Sequence, residues 1–193
     1  MDKLTISEFC DQLGTNTPTP GGGSVSSLAG ALAVSLTDMV IAYTLNNPRY
    51  SELKEEFSIY YQKGLALKDQ LLALMDKDAQ GFLPLSQVYK LPKDHPDRAE
   101  KNNEALKIAM EAPLAMFNCL LEVIELSLEV YQKANRMLIS DAQVALHLAL
   151  AALKSSAVMV EVNLKNLEEA AELSTYLKTN IQKYESRIND LWQ

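Results

Sequence analysis

The 21 residues from Val25 to Leu45 form an almost uninterrupted apolar stretch in which Asp38 is the only charged side chain. A helix that is apolar on every side must lie inside a bundle, in a subunit interface or in a bilayer. The stretch is rich in Ala and Ser, contains a carboxylate and lacks flanking basic anchors, which favours a buried core helix over a membrane span. The segment 142–164 is apolar over most of its circumference in the same way.

Helical periodicity runs through the rest of the chain, and strand signals are nearly absent. Thr5 and Glu8 form a predicted capping box at the start of the first helix, which Gly14 ends. The second helix is predicted at residues 24–45, and the third at 51–89 with a kink at Pro84. After a loop at 90–97, a fourth helix runs to about residue 131 with a break at Pro113. Ser140 is the predicted N-cap of a helix that extends to residue 167, and a polar helix ends the chain. This pattern predicts one all-α domain over residues 1–193, a bundle of five to seven mostly long helices.

Charge and composition exclude several classes of partner. The net charge is -7, which disfavours binding to nucleic acid or to an anionic membrane surface. Two isolated cysteines, Cys10 and Cys119, are too few for a disulfide scaffold, and the first residues do not resemble a signal peptide. We therefore expect a cytoplasmic protein. Two helices this apolar in a short chain also predict a homodimer that associates through apolar helix faces.

Three consecutive glycines, Gly21, Gly22 and Gly23, precede Ser24, the predicted N-cap of the apolar helix. Backbone N–H groups at such a helix start can bind a carboxylate or phosphate, or the glycines can form a tight turn that lets two helices touch. No Lys-Ser/Thr pair follows, so the stretch is not a nucleotide P-loop. If a ligand lies against this backbone, a Cβ at Gly22 should weaken binding by about 1–3 kcal/mol, the scale of overpacking.

Two carboxylates and one amide interrupt apolar helix faces. Asp78 lies on the stripe formed by residues 67, 71, 74, 82 and 85, where it is either a salt-bridged structural residue or a group kept for recognition or proton transfer. Ser140 and Asp141 can cap a helix, yet Asp141 also shares a face with Val144 and can look into a cleft. Asn163 lies in an apolar stretch and needs hydrogen-bond partners if it is buried. The histidines and cysteines form no metal constellation, so no metal site is predicted.

Six motifs occur in order along nearly the whole chain: PTPGGGSVSSLAGALAVSL, DKDAQGF, YKLPK, EAPL, ISDAQVAL and VEVNLKNL. Together they resemble the formiminotetrahydrofolate cyclodeaminase / methenyltetrahydrofolate cyclohydrolase family. The resemblance implies an all-helical dimer with a folate site near the subunit interface. It also implies a tetrahydrofolate derivative as substrate, with no permanently bound cofactor. One departure stands out, because family members carry consecutive basic residues after the glycine-rich helix, where this chain keeps only Arg49.

The implied chemistry suits these residue types. In cyclodeamination N10 of the folate attacks the formimino carbon on N5 and ammonia leaves, which needs a proton donor that Asp78 or Asp141 can supply. Lys90 is a further candidate, for a substrate carboxylate, although it can equally be a surface lysine. The motifs ISDAQVAL and VEVNLKNL resemble the histidine-degradation branch and favour the cyclodeaminase. The cyclohydrolase is the alternative, and a non-catalytic helical scaffold or folate-binding protein is the rival of another class.

Overall fold

The computed structural model describes residue 1 and residues 3–164, 167 and 170–191. Within those residues the chain forms six α-helices and two 3-10 turns and contains no β-strand. The helices are α1 (Ile6–Leu13), α2 (Gly22–Leu45), α3 (Lys54–Val88), α4 (Arg98–Lys133), α5 (Ile139–Asn163) and α6 (Ala170–Asp190), and the 3-10 turns are Pro48–Leu53 and Arg136–Leu138. The all-α prediction is confirmed.

Helix α2 is the centre of the bundle and packs against α3, α4 and α5. Close approach depends on its small residues. A Cβ at Gly30 would lie 3.2 Å from Leu71 Cδ1 of α3, and it would also meet Leu120 of α4. The hydroxyl of Ser27 donates to the Leu71 carbonyl, which satisfies a buried polar group across the α2–α3 contact. The core is therefore built around a small-residue helix with larger aliphatic side chains from its neighbours.

Helix starts differ from the sequence prediction at two positions. Thr5 and Glu8 form the expected capping box. Ser24, by contrast, does not cap α2, because Gly21 is the N-cap and Ser24 is fully buried inside the first turn. The predicted Ser140 cap is also wrong, since α5 begins at Ile139 after the 3-10 turn that Asn135 caps.

Two internal prolines lie within continuous helices. The predicted break at Pro113 is wrong, because α4 runs through this residue from Arg98 to Lys133. Pro84 likewise lies inside α3. Proline removes one intrahelical hydrogen bond, and here the buried packing of α4 on its neighbours keeps the helix intact.

Among the residues that the structure describes, two segments are long and apolar enough to cross a membrane by length and composition, namely α2 and Arg136–Asn163. Within the bundle, 56% of the α2 window and 44% of the other window are buried. Exposed apolar side chains are present on both helices, namely Val25, Leu32 and Tyr43 of α2 and Val144, Val158 and Val162 of α5.

Candidate active site

A cavity of about 220 Å³ lies where α2 begins and α5 ends. Asp78 of α3 lies opposite Gly23 near the start of α2, and α3 continues beyond this point to Val88. The walls of the cavity come from the glycine segment, α3, α4 and α5, and the lining residues are Pro18, Thr19, Gly21, Gly22, Gly23, Asp78, Phe82, Leu85, Tyr89, Ala109, Met159, Val162 and Asn163.

The Asp78 carboxyl lies directly on the backbone of Gly23, where a Cβ would overlap it. Burial raises the pKa of Asp78 to about 6, and a hydrogen bond from the backbone N–H of Ser24 opposes that rise. The carboxyl therefore exchanges its proton close to neutral pH, which suits a general acid or base.

The start of α2 supplies hydrogen-bond donors to the same cavity. The first N–H groups of a helix have no intrahelical acceptor, and here these belong to Gly22, Gly23 and Ser24. The Ser24 N–H is directed to Asp78. The Ser24 hydroxyl is buried and lacks a hydrogen-bond partner in the part of the chain that the structure describes. Gly22 and Gly23 line the cavity at the N-terminus of α2, where the helix dipole favours an acceptor or a negative charge.

Asn163 presents an acceptor to the cavity. Its side-chain amide nitrogen donates to the Ala109 carbonyl at 3.2 Å and to the Met159 carbonyl at 3.0 Å. Because both N–H groups are used in this way, the carboxamide oxygen is the atom of this side chain that can accept from a ligand. The site thus combines a donor edge at α2, an acceptor at the end of α5 and a proton-exchanging carboxyl on α3.

The remaining predicted site residues lie elsewhere. Lys90 is exposed next to Tyr89 and does not line the cavity. Ser140 and Asp141 are in the first turn of α5, about 33 Å along the helix from Asn163 at 1.5 Å per residue. Within one chain, the structure therefore brings together the three glycines, Ser24, Asp78 and Asn163, and it leaves Asp141 far from them.

A second buried carboxyl, Asp38, was not singled out as a site residue from the sequence. It is 6% exposed on α2, and neither carboxyl oxygen has a hydrogen-bond partner among the described residues. The carboxyl packs on Gly64 of α3, and burial raises its pKa to about 7 against the lowering effect of Lys68. Its signal in the sequence is that it is the lone charge in a long apolar helix.

A larger groove of about 490 Å³ lies between α3 and α4. Its charged lining residues, Lys77 and Glu111, are exposed. We assign the site to the smaller cavity because it holds a half-buried carboxyl with a raised pKa, a helix N-terminus and a partnered amide. Among the described residues, no cluster of three His, Cys, Asp or Glu side chains is placed to hold a metal ion.

Comparison with known proteins agrees with this fold. The chain is 36% identical over 178 residues to the methenyltetrahydrofolate cyclohydrolase of Methylorubrum extorquens, covering 90% of this chain and 86% of that enzyme. It is 27% identical to the formimidoyltransferase-cyclodeaminase of Rattus norvegicus, of which it spans only 31%.

A crystal structure of formiminotetrahydrofolate cyclodeaminase from Thermotoga maritima superimposes with a TM-score of 0.86 at 25% identity, covering 98% of this chain and 96% of that one. The sequence model of the formiminotransferase-cyclodeaminase family matches residues 5–182. The chain therefore belongs to the formiminotransferase-cyclodeaminase family, whose relatives named here act on tetrahydrofolate derivatives.

Proposed function

We propose that the cavity at the start of α2 binds a reduced folate carrying a one-carbon unit, and that the enzyme forms or consumes 5,10-methenyltetrahydrofolate. The observation that carries this proposal is the Asp78 carboxyl, which lies in the cavity on Gly23 with a pKa raised to about 6 by burial. Both reactions of the named relatives move a proton at the one-carbon centre, and a carboxyl of this kind can donate or accept it near neutral pH.

The polar groups of the cavity match the edge of a pterin. That edge presents a carbonyl oxygen next to a ring N–H and an amino group. The N–H groups of Gly22 and Gly23 can donate to the carbonyl, and the Asn163 oxygen can accept from the amino side. This arrangement orients the ring without a charged partner and leaves Asp78 for the reacting carbon.

In the cyclohydrolase reaction, ionised Asp78 acts as general base. Water adds to the methenyl carbon and gives one proton to the carboxylate. The bond from that carbon to N5 then breaks, N5 takes up a proton, and 10-formyltetrahydrofolate is released. One proton is set free overall, because the substrate is a cation and the product is not.

In the cyclodeaminase reaction, protonated Asp78 acts as general acid. N10 attacks the formimino carbon on N5, and the N10 proton and one further proton leave with the nitrogen as ammonia. The product is the methenyl cation, which the regenerated carboxylate stabilises.

We propose the cyclohydrolase reaction as the first candidate, because the relative of that name matches this chain at higher identity and over most of its own length. The cyclodeaminase reaction is the second candidate, supported by the solved structure of that name and by the motifs of the sequence. The proposal reverses the order expected from the motifs alone.

The near-ultraviolet absorbance of methenyltetrahydrofolate separates the two reactions. A cyclohydrolase removes this absorbance from added methenyltetrahydrofolate faster than the uncatalysed background. A cyclodeaminase produces it from 5-formiminotetrahydrofolate. A non-catalytic scaffold does neither, and absence of calorimetric binding at high micromolar tetrahydrofolate would support that rival.

A homodimer is part of the proposal. The exposed apolar face of α2 and α5 suits a second copy of the chain, because symmetric dimers bury the same patch from both subunits. Met159 of α5 lies against Gly22, so the start of α2 meets the end of α5 and the two helices run antiparallel. A two-fold axis that crosses the middle of this face at right angles to the helices would place the partner's Asp141 near the cavity. We propose a cytoplasmic location for this dimer.

A further inference from the structure

Helix α3 and Tyr89, its C-cap residue, place four side chains in one line along the cavity. Asp78, Phe82, Leu85 and Tyr89 are spaced four, three and four residues apart, which puts them on one face of a helix. The line is about 16 Å long at 1.5 Å per residue. Asp78 marks its inner end against Gly23, and Tyr89, which is 57% exposed, marks its outer end.

The cavity is too small for a whole folate. Its volume of about 220 Å³ lies below the range of roughly 300–1,000 Å³ that encloses drug-sized ligands. A folate has a flat pterin head, a flat p-aminobenzoyl ring and a glutamate tail, and the reacting N5 and N10 lie between the two rings. Only one ring can therefore be enclosed when the reacting centre is near Asp78.

We infer that Tyr89 holds the p-aminobenzoyl ring of the substrate where the folate leaves the cavity. This inference rests on the proposed function. The enclosed ring is the pterin, because the hydrogen-bonding groups of Gly22, Gly23 and Asn163 lie inside the cavity. The p-aminobenzoyl ring is apolar and flat, and it can stack on the exposed side chain of Tyr89 at the outer end of α3.

The chain after Tyr89 suits the remaining part of the substrate. Lys90 follows it directly, Lys93 lies three residues further, and both are exposed. A glutamate tail that passes Tyr89 therefore enters a region with two cationic side chains, in a protein of net charge -7. Stacking on Tyr89 positions the ring, and these lysines attract the carboxylates in solvent.

Calorimetry with two ligands tests the role of Tyr89. Tetrahydrofolate carries both rings, whereas a 6-methyltetrahydropterin carries only the head. Replacing Tyr89→Ala should raise the Kd for tetrahydrofolate about tenfold, the scale of one aromatic contact, and leave the Kd for the pterin unchanged. Tyr89→Phe should behave as the wild type, because the ring and not the hydroxyl makes the contact.

The matched control is Leu83→Ala, an exposed residue of α3 that does not line the cavity. It should change neither Kd, and the melting temperature of every variant should show that the bundle is folded. If Tyr89→Ala weakens the binding of both ligands equally, or of neither, the role of Tyr89 is overturned while the folate proposal stays intact. Absence of tetrahydrofolate binding to the wild-type protein would overturn both.

Discussion

At Gly23 the absence of a side chain is what lets a carboxyl reach the start of α2. A Cβ there would overlap the carboxyl of Asp78. Burial disfavours the ionised carboxylate, whereas the Ser24 N–H favours it, and burial is the larger of the two effects. These two effects together give the Asp78 carboxyl a pKa of about 6. Gly23 is needed for this environment because any side chain there would displace the carboxyl.

Substituting Gly23→Ala should therefore have a larger effect than Gly22→Ala. The new methyl group must displace the Asp78 carboxyl, and we expect a loss of about 1–3 kcal/mol in unfolding free energy together with lower turnover. At Gly22 a Cβ would lie 2.9 Å from Met159 Sδ, the flexible part of a side chain that can move. Urea unfolding and turnover of the two variants measure the difference.

Equal effects of the two substitutions would show that the close approach of Asp78 to Gly23 is unimportant. The glycine run alone predicted Gly22 as the test position. The structure places the tightest contact one residue later, because the helix begins at Gly22 and not after Ser24.

At the scale of elements, α2 and α3 are joined by two reciprocal contacts. Asp78 of α3 packs on Gly23 of α2, and Asp38 of α2 packs on Gly64 of α3. The two contacts are about 21 Å apart along the helices at 1.5 Å per residue. Burial raises the pKa of both carboxyls, to about 6 and about 7 respectively, so each helix holds a carboxyl that is neutral in mild acid.

The Asp38 contact should make stability depend on pH. A pKa raised from 3.8 to about 7 contributes stability that is fully present below about pH 4 and is lost as the pH rises through 7. Substituting Asp38→Asn should remove this dependence and raise the unfolding free energy at pH 8 by roughly 2–4 kcal/mol. Denaturant unfolding at pH 5 and pH 8 measures it.

Asp69→Asn is the control for this measurement, because the Asp69 side chain is 73% exposed beside Lys68. That variant should keep the slope of the wild type. If Asp38→Asn kept the same slope too, then Asp38 is ionised and paired in solution, contrary to its unpartnered burial in the structure.

The sequence predicts the helices better than it predicts their ends. Periodicity places all the long helices, and the Thr5–Glu8 capping box is confirmed because it depends on local contacts only. Ser24 and Ser140 also have good capping side chains, yet each lies inside its helix. At Pro113 the helix continues, since packing in α4 outweighs one lost hydrogen bond.

The site was predictable to the same degree. Gly21–Gly23, Asp78 and Asn163 are polar or bare positions in apolar surroundings, and the fold brings them to one cavity. The sequence did not indicate that Phe82 and Tyr89 line the cavity, because an aromatic residue at helical spacing is typical of a buried core position. Asp38 was missed because its partner, Gly64, is a residue without a side chain.

At the scale of the whole molecule, the proposed dimer would account for the distance between Asp141 and Asp78 within one chain. A symmetric pairing over the exposed residues of α2 and α5 would bring the first turn of one α5 near the cavity of the other subunit. Each complete site would then contain Asp78 of one chain and the partner's Asp141.

Mixing two inactive variants tests this arrangement. Asp78→Asn and Asp141→Asn should each lower turnover about 10²-fold if both carboxyls take part in proton transfer. Subunit exchange between them should restore roughly a quarter of the wild-type activity, because half of the symmetric pairs are mixed and each has one intact site.

Either variant refolded alone must stay inactive, and light scattering should give twice the mass of one chain. Full activity of Asp141→Asn on its own, or no recovery after exchange, would remove Asp141 from the shared site. A monomer by scattering would remove the shared site altogether.

The most direct test of the account is to measure how the rate of methenyltetrahydrofolate consumption or formation depends on pH, in the wild type and in Asp78→Asn. The reaction rate of the wild type should change with pH around an apparent pKa near 6. It should rise with pH if the protein is a cyclohydrolase and fall with pH if it is a cyclodeaminase. Asp78→Asn should lose this pH dependence and about 10²-fold in kcat, and its melting temperature should not fall, because the amide removes a carboxylate that burial disfavours. Asp76→Asn, which lies two residues away and pairs with the Met1 ammonium, should behave as the wild type. Full activity with an unchanged pH profile in Asp78→Asn would contradict the account.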